Sequence, residues 1–370
     1  MYVDLKPSPS IPLHALDALQ DDALLPICVA CGTQYPRSHQ AVRSSSETRG
    51  KSPNASGAGS RDVPECPVCL DPRQYAPASG QQWTTLAELS KDQASGEEKG
   101  KGQERKHRLL VDERDERISM IVTEPGFGIN QTPILIETAD GSYVWDCAAF
   151  LSLPLIGHLT SLKRPLKGIA ISHPHFFSTS LTWSRALNVP LYLNEDDKEW
   201  YQRLGDIRES DPVIWWTGYR ELGRGVKVIQ CGGHFPGSSV LYWDRLTEPA
   251  PPKDDLPTKP TPVSGILFTA DTLMVQPTQR GFSFLWSVPN MIPLRPKAIL
   301  RIYTTLKHLS FDEATSSWPN KWIRPSSSSS SSDSEANDDA KKALEESVIL
   351  YLAAEGWRLD ENGELVELVS

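Results

Sequence analysis

Residues 171–178, ISHPHFFS, follow a short apolar run and place His173 and His175 two positions apart. Side chains at i and i+2 of an extended segment point the same way, so both imidazoles can reach one cation. His234 lies in the turn CGGHFPGSS, where neighbouring glycines allow a sharp backbone turn. Asp271 ends the strand-like run ILFTAD, and a carboxylate at the end of a buried strand needs a partner or a metal. Each of these side chains is a candidate metal ligand, although, taken one at a time, a satisfied structural role explains it better.

The segments around these residues mix strand and helix patterns. PILIETADGSYVWDC contains two β-rich runs around Asp140-Gly141, which predicts a hairpin. LKGIAIS and VPLYLN are typical of buried strands, and STSLTWSRALN is typical of a helix. Strands followed by helices, together with hairpins, indicate an α/β layered fold with two sheets.

Four of the six cysteines form two Cys-x-x-Cys pairs, Cys28 with Cys31 and Cys66 with Cys69. Four thiolates make a closed tetrahedral zinc site that leaves no position open for chemistry. The long polar spacer between the pairs costs little closure entropy. A redox Cys-x-x-Cys or unpaired thiols are the alternatives, although a thioredoxin-like βαβ context is missing. We predict structural zinc, which would supply folding energy to a small module.

Changes in composition divide the chain into a cysteine module, a globular region and a C-terminal helix. The predicted division is a four-cysteine, zinc-ribbon-like module at 20–90 with a disordered insertion at about 40–62, a linker at 91–112, a globular domain at 113–325 with an insertion at 247–261, a disordered Ser and acidic tract at 326–340, and a C-terminal helix and tail at 341–370.

Composition limits the function classes. The 370 residues carry a net charge of -9, which argues against a nucleic-acid surface. No apolar run approaches the roughly 18 residues that a membrane span needs. The N-terminus lacks a basic segment before an apolar stretch, so we expect no secretory signal and a cytoplasmic, or by diffusion nuclear, location. We expect a small-molecule substrate, and the zinc module can also dock a protein partner.

His-x-His after a strand, GGHxPG between strands and FTxD at a strand end together resemble the metallo-β-lactamase superfamily over about residues 118–318. CPVCLDPRQYAP and GQQWTTLAEL are similar to a cysteine module that precedes this domain in some members. The resemblance implies an αββα sandwich with its metal site at one edge, between the sheets. His173 and His175 match the first two histidines of the family signature His-x-His-x-Asp-His. His234 matches the third histidine, and Asp271 matches an aspartate that often bridges two metals.

The signature is incomplete in this chain. Phe177 and Ser178 replace the Asp and His that normally hold the second metal, and that Asp also handles the attacking water. The last family histidine, expected after Asp271, has no clear match. One ion held by three histidines, with or without Asp271, is more consistent with these residues than two ions.

Three other polar residues follow from the resemblance. Asp146, in VWDC, matches an acid that orients ligands near the site, although a turn cap explains it equally well. Ser178, beside the signature, is expected to line the site rather than act as a nucleophile. Asn290 lies in SVPNMIPL, which the resemblance places as a loop over the site.

Three functions are compatible with the sequence. The first is a mononuclear zinc hydrolase, in which the ion lowers the pKa of bound water to about 7 and Asp271 either ligates it or orients the water. The second is a degenerate, non-catalytic binding protein whose zinc module docks a partner. The third is a mononuclear Fe(II) oxygenase acting on a sulfur substrate, because two histidines and a carboxylate suit non-haem iron. Converging imidazoles with an open face would favour an enzyme, whereas a cavity filled by Phe177 would favour the binding protein.

Overall fold

The structure is a computed structural model, and it describes residues 1–8, 10–39, 65–78, 80–91, 105–248, 265–325 and 339–368. The insertion expected at 40–62 lies outside the described residues. So do all but two residues each of the insertion at 247–261 and of the tract at 326–340.

The chain forms many short strands and few helices. The strands are β1 (Tyr2–Asp4), β2 (Ile27–Cys28), β3 (Trp83–Thr84), β4 (Lys106–Val111), β5 (Ile118–Glu124), β6 (Ile134–Thr138), β7 (Gly141–Trp145), β8 (Leu166–Ala170), β9 (Leu191–Asn194), β10 (Val213–Trp216), β11 (Tyr219–Gly223), β12 (Val226–Gln230), β13 (Ser239–Asp244), β14 (Gly265–Phe268), β15 (Met274–Val275), β16 (Phe282–Ser283), β17 (Leu285–Ser287), β18 (Ile292–Pro293), β19 (Phe311–Thr315), β20 (Trp322–Ile323), β21 (Trp357–Leu359) and β22 (Leu365–Glu367). The helices are α1 (Leu13–Asp22), α2 (Pro67–Leu70), α3 (Leu86–Lys91), α4 (Leu153–Thr160), α5 (Ser180–Leu187), α6 (Pro296–Leu306) and α7 (Asp339–Ala354).

Two mixed sheets form the frame. The first has the order β1-β4-β5-β6-β7-β8-β9-β10, and the second has the order β11-β12-β13-β14-β19-β20. The predicted hairpin around Asp140-Gly141 is confirmed, because β6 and β7 pair antiparallel. Strands β7 to β10 are parallel, as are β14 and β19. Parallel neighbours bring their carboxyl ends to one edge of a sheet.

The two sheets pack face to face, with helices outside each. Side chains alternate along the strands: Tyr143 and Trp145 point into a core shared with Trp243 and Phe268 of the second sheet, whereas Val144 points to the opposite face. There α1, α4 and α5 cover the first sheet, and α6 and α7 cover the outer face of the second. The predicted αββα sandwich is therefore confirmed. No helix among the described residues combines the length and apolar character needed to cross a membrane.

Long-range pairing changes the predicted domain limits. The linker at 91–112 contains β4, which pairs with β1 and β5. Residues before the expected module also belong to the sandwich, because α1 packs on α5 through Ala15 and Ala18. At the other end, α7 completes the core under the second sheet. Segments near both ends of the described chain therefore belong to the sandwich, because α1 covers the outer face of one sheet and α7 that of the other.

The buried residue His107, on β4, should make the free energy of unfolding depend on pH. His107 is buried against Phe150 and Ser152, and burial lowers its pKa to about 3. The unfolded chain takes up the proton near pH 6.5, so stability should fall as the pH drops below that value. Between pH 7.5 and 5 the loss from this group is about 2 kcal/mol. Urea unfolding of the wild type and of His107→Gln at both pH values should show this extra loss in the wild type alone; equal losses would contradict it.

Candidate metal centres

The four predicted ligands lie on loops at one edge of the sandwich. His173 follows β8 and precedes a 3-10 turn, Pro174–Phe176, that carries His175. Asp271 follows β14, and His234 lies between β12 and β13. Gly233, at φ +89°, could not be replaced without strain, because a Cβ there would lie 2.6 Å from Oγ1 of Thr272. That close approach brings the loop of His234 against the residue next to Asp271.

The ligand atoms converge on one point. Oδ2 of Asp271 lies 3.4 Å from Nε2 of His173, 3.8 Å from Nδ1 of His175 and 3.6 Å from Nε2 of His234. Nε2 of His234 and Nδ1 of His175 are 3.0 Å apart. A tetrahedral ion about 2.0–2.1 Å from each donor would give edges of about 3.3–3.4 Å. The spacing therefore fits a single first-row ion.

Hydrogen bonds orient two of the imidazoles. Nδ1 of His234 lies 3.1 Å from the carbonyl oxygen of Leu285, so the N–H on that nitrogen donates and the lone pair on Nε2 faces the cluster. Nδ1 of His173 lies 2.8 Å from Oγ of Ser172. Oδ1 of Asp271 is buried and has no hydrogen-bond partner among the described residues. An orphaned carboxylate oxygen beside three imidazoles fits a cation, because a buried charge needs compensation.

The electrostatics agree with this donor set. Burial lowers the pKa of His175 to about 4 and that of His234 well below its usual value, so both rings are neutral at neutral pH. Burial opposes the charge of Asp271, yet the neighbouring histidines, His173 first, hold its pKa well below the usual range. Neutral imidazoles and an ionised carboxylate are the forms that bind metal.

Asp146 supports this edge indirectly. Its Oδ1 accepts a 2.8 Å hydrogen bond from the backbone N–H of Ser172, the residue before His173. Burial raises its pKa to about 7. The carboxyl group thus holds the loop of His173 in place, as a turn cap also would, and its role in orienting ligands stays a prediction.

The two residues that depart from the signature do not line the cluster. The ring of Phe177 packs 5.1 Å from that of Tyr201 in the core, so it does not fill the metal cavity. The predicted lining role of Ser178 is wrong: its Oγ donates to the carbonyl oxygen of Gly32, at 3.2 Å. At φ +44° the backbone of Ser178 is left-handed, and its side chain meets the cysteine module.

The four cysteines form a second cluster. Sγ of Cys28 lies 3.6 Å from that of Cys69, and Cys31 is equally far from Cys66. Four sulfurs about 2.3 Å from a tetrahedral zinc lie about 3.8 Å apart, whereas a disulfide needs about 2.05 Å. Thiol hydrogen bonds, that of Cys28 first, hold the pKa of Cys66 well below its usual value. The arrangement fits a closed metal site.

Sequence reasoning missed Arg73, which lies between the two clusters. Its guanidinium donates to the carbonyl oxygen of His234 and lies over the ring of Phe235. The loop position predicted for Asn290 is correct, but its amide donates to the carbonyl oxygens of Pro72 and Gln74. Arg73 stands four residues after Cys69, within CPVCLDPRQYAP, and its place in that segment is the signal that could have found it.

The chain resembles known proteins in sequence and in structure. No family model matches the chain. Among solved structures, the metallo-β-lactamase DIM-1 covers 66% of this chain and 98% of its own, at 12% identity and a TM-score of 0.43. VMB-1 covers 67% of this chain and 98% of its own, at 11% identity and a TM-score of 0.42.

The αββα layers and the His-rich cluster at their edge are the fold and the site that the resemblance to the metallo-β-lactamase superfamily implies, and a four-cysteine cluster lies N-terminal to them. The chain belongs to the family of the uncharacterized protein YmaE of Bacillus subtilis (strain 168), with which it shares 33% identity over 248 residues, 67% of this chain and 79% of the relative.

Proposed function

We propose that the chain is a metal-dependent hydrolase that uses one ion held by His173, His175, His234 and Asp271. The observation that carries the proposal is the convergence of their donor atoms, which lie between 3.0 and 3.8 Å apart in the pairs described above. Such an ion, when bound, polarises a carbonyl or phosphoryl oxygen and acidifies water. Zinc suits this donor set best, and iron is the alternative metal.

Asp271 and Asp146 have different roles in this proposal. Asp271 supplies a charged donor through Oδ2, and its Oδ1 is left to orient water. Asp146 keeps the loop of His173 in position. The substrate is a small molecule of unknown class, and we expect it to be neither a nucleic acid nor a membrane lipid. A cytoplasmic or nuclear location and a protein partner for the cysteine module remain predictions.

Metal content tests the proposal directly. Mass spectrometry of the purified protein should find close to two metals per chain, one bound by thiolates and one by the histidines. The double variant His173→Ala/His234→Ala should lose one of them. Unchanged metal content in that variant would refute the histidine site. A panel of ester, thioester and phosphodiester substrates then tests hydrolysis, with the double variant as the control.

The variant Asp271→Asn tests whether Asp271 is a metal ligand or only orients water. If Oδ2 ligates, the amide should weaken zinc binding at the histidine site by more than about 100-fold, since even outer partners of ligands are worth about 10–100-fold. Competition with a chelator measures the affinity. Asp115→Asn is the matched control, because that carboxylate is also buried but pairs with Arg117, outside the cluster. Unchanged affinity in Asp271→Asn would assign Asp271 to water alone.

One observation favours a non-catalytic binding protein as the second candidate. Each of the four ligand residues is at most 2% exposed, and such deep burial fits a closed site better than one that admits a substrate. Occupancy of the histidine site without turnover of any panel substrate would support this candidate. Oxygen consumption with thiol substrates after anaerobic iron loading would instead support the Fe(II) oxygenase.

A further inference from the structure

The loop that follows Cys69, the last of the four clustered cysteines, contacts the loop of His234. Nη1 of Arg73 donates to the carbonyl oxygen of His234 at 3.1 Å. The guanidinium carbon lies 3.7 Å from the ring centroid of Phe235. Asp71 accepts from Nε and Nη2 of Arg73 at 2.6 and 2.9 Å, which fixes the plane of the guanidinium. Because both side chains are largely buried, at 13% and 11% exposure, these charged contacts are costly to break.

The hairpin β17–β18 also contacts the loop that follows Cys69. Oγ of Ser287 donates to the carbonyl oxygen of Arg73 at 3.1 Å. Nδ2 of Asn290 donates to the carbonyl oxygens of Pro72 and Gln74, each at 3.2 Å. Three consecutive carbonyls of the cysteine module are thus held by the hairpin that also orients the ring of His234.

The loop that contains Cys31 and Gly32 forms hydrogen bonds with the loop of His175. Ser178, three residues after His175, donates from Oγ to Gly32 and accepts, at its carbonyl oxygen, from the backbone N–H of Gln34 at 3.1 Å. Gly32 is left-handed at φ +81°, and a Cβ there would lie 2.8 Å from Cβ of Ala149, in the loop after β7, and 3.6 Å from Oγ of Ser178. The position at which the signature has a second-metal histidine is used here for docking.

We propose that the four-cysteine module is a clamp on the histidine site, with Arg73 as the residue that positions the loop of His234. It holds the loop of His175 through Gly32 and Gln34, and the loop of His234 through Arg73. Metal at the thiolates then strengthens metal binding at the histidines, and the coupling is reciprocal. This inference rests on the proposed function in so far as the histidine site holds an ion.

Arg73→Gln tests the clamp, with Arg37→Gln as the matched control. Arg37 is an exposed arginine of the same module. Arg73→Gln should weaken zinc binding at the histidine site by about 10–100-fold, the usual effect of losing a partner that orients ligands. With cobalt bound, the visible bands of the histidine site should change, whereas the thiolate-to-cobalt absorption should not. Asn290→Ala should act in the same direction with a smaller effect. Unchanged affinity and bands in Arg73→Gln would overturn the proposal.

Amide hydrogen exchange can test the clamp independently of the proposed function. In Arg73→Gln, amides of residues 231–238 and 284–290 should exchange faster than in the wild type and in Arg37→Gln, whether or not metal is bound at the histidines. A wild type with metal at the thiolates alone, together with this faster exchange, would refute the proposed function but support the clamp. Unchanged exchange in both loops would overturn the clamp.

Discussion

Replacing Cys66 with alanine should release the metal of the four-cysteine cluster and unfold the cysteine module. The buried apolar cluster of this module contains little besides the four cysteines, Tyr35 and Val68. Structural zinc supplies about 10–16 kcal/mol of apparent binding energy to small modules, more than such a core can replace. The thiolate of Cys66 also accepts a 3.0 Å hydrogen bond from the hydroxyl of Tyr35, which would be lost as well.

Cys231→Ala is the matched control for this substitution. Cys231 is as fully buried as Cys66, but its sulfur lies in the core of the second sheet. Metal content should fall by at least one per chain in Cys66→Ala and stay at two in Cys231→Ala. Limited proteolysis should cut within residues 65–78 of the first variant alone. A Cys66→Ala protein that kept its metal and its protease resistance would contradict a structural metal site.

Several of the candidate metal ligands could be predicted because their signals are local. His173 and His175 are two residues apart after a strand, and the cysteine pairs have metal-ligand spacing. His234 and Asp271 follow β12 and β14 of the second sheet, whereas His173 follows β8 of the first, so no local pattern joins them. The resemblance of the four motifs, in their order, to the metallo-β-lactamase superfamily is what groups them at the level of sequence.

The domain limits and the clamp depend on long-range contacts that no local pattern encodes. Tyr2 pairs with Leu110, and nothing in either segment marks the other. Arg73 is one of many arginines in polar stretches, and its role follows from the position of Phe235 and His234. The place of Ser178 in the signature predicts a position in the site, whereas its left-handed backbone directs its side chain to the module.

Replacing Asp22 with alanine should destabilise the fold by about 3 kcal/mol, because it leaves a buried guanidinium without its main partner. Asp22 accepts from both Nη atoms of Arg203, at 2.9 and 3.0 Å, and from Oγ1 of Thr182 at 2.7 Å. Asp22 and Arg203 are each 4% exposed at the side chain. Asp206 still contacts Nε of Arg203, which keeps the cost at the lower end of the range for broken buried pairs.

The neighbouring residue provides the control. Asp21 pairs with Arg208 at 3.0 Å, but both side chains are more than half exposed, so Asp21→Ala should cost less than about 1 kcal/mol. Urea unfolding at neutral pH measures the two free energies, and equal midpoints would contradict the network. The network also matters for the site, because Nη1 of Arg203 donates to Gln34 of the cysteine module at 2.7 Å. Loss of Asp22 should therefore loosen the module as well, and faster amide exchange at residues 31–35 in Asp22→Ala than in Asp21→Ala would demonstrate that link between α1, α5 and the clamp.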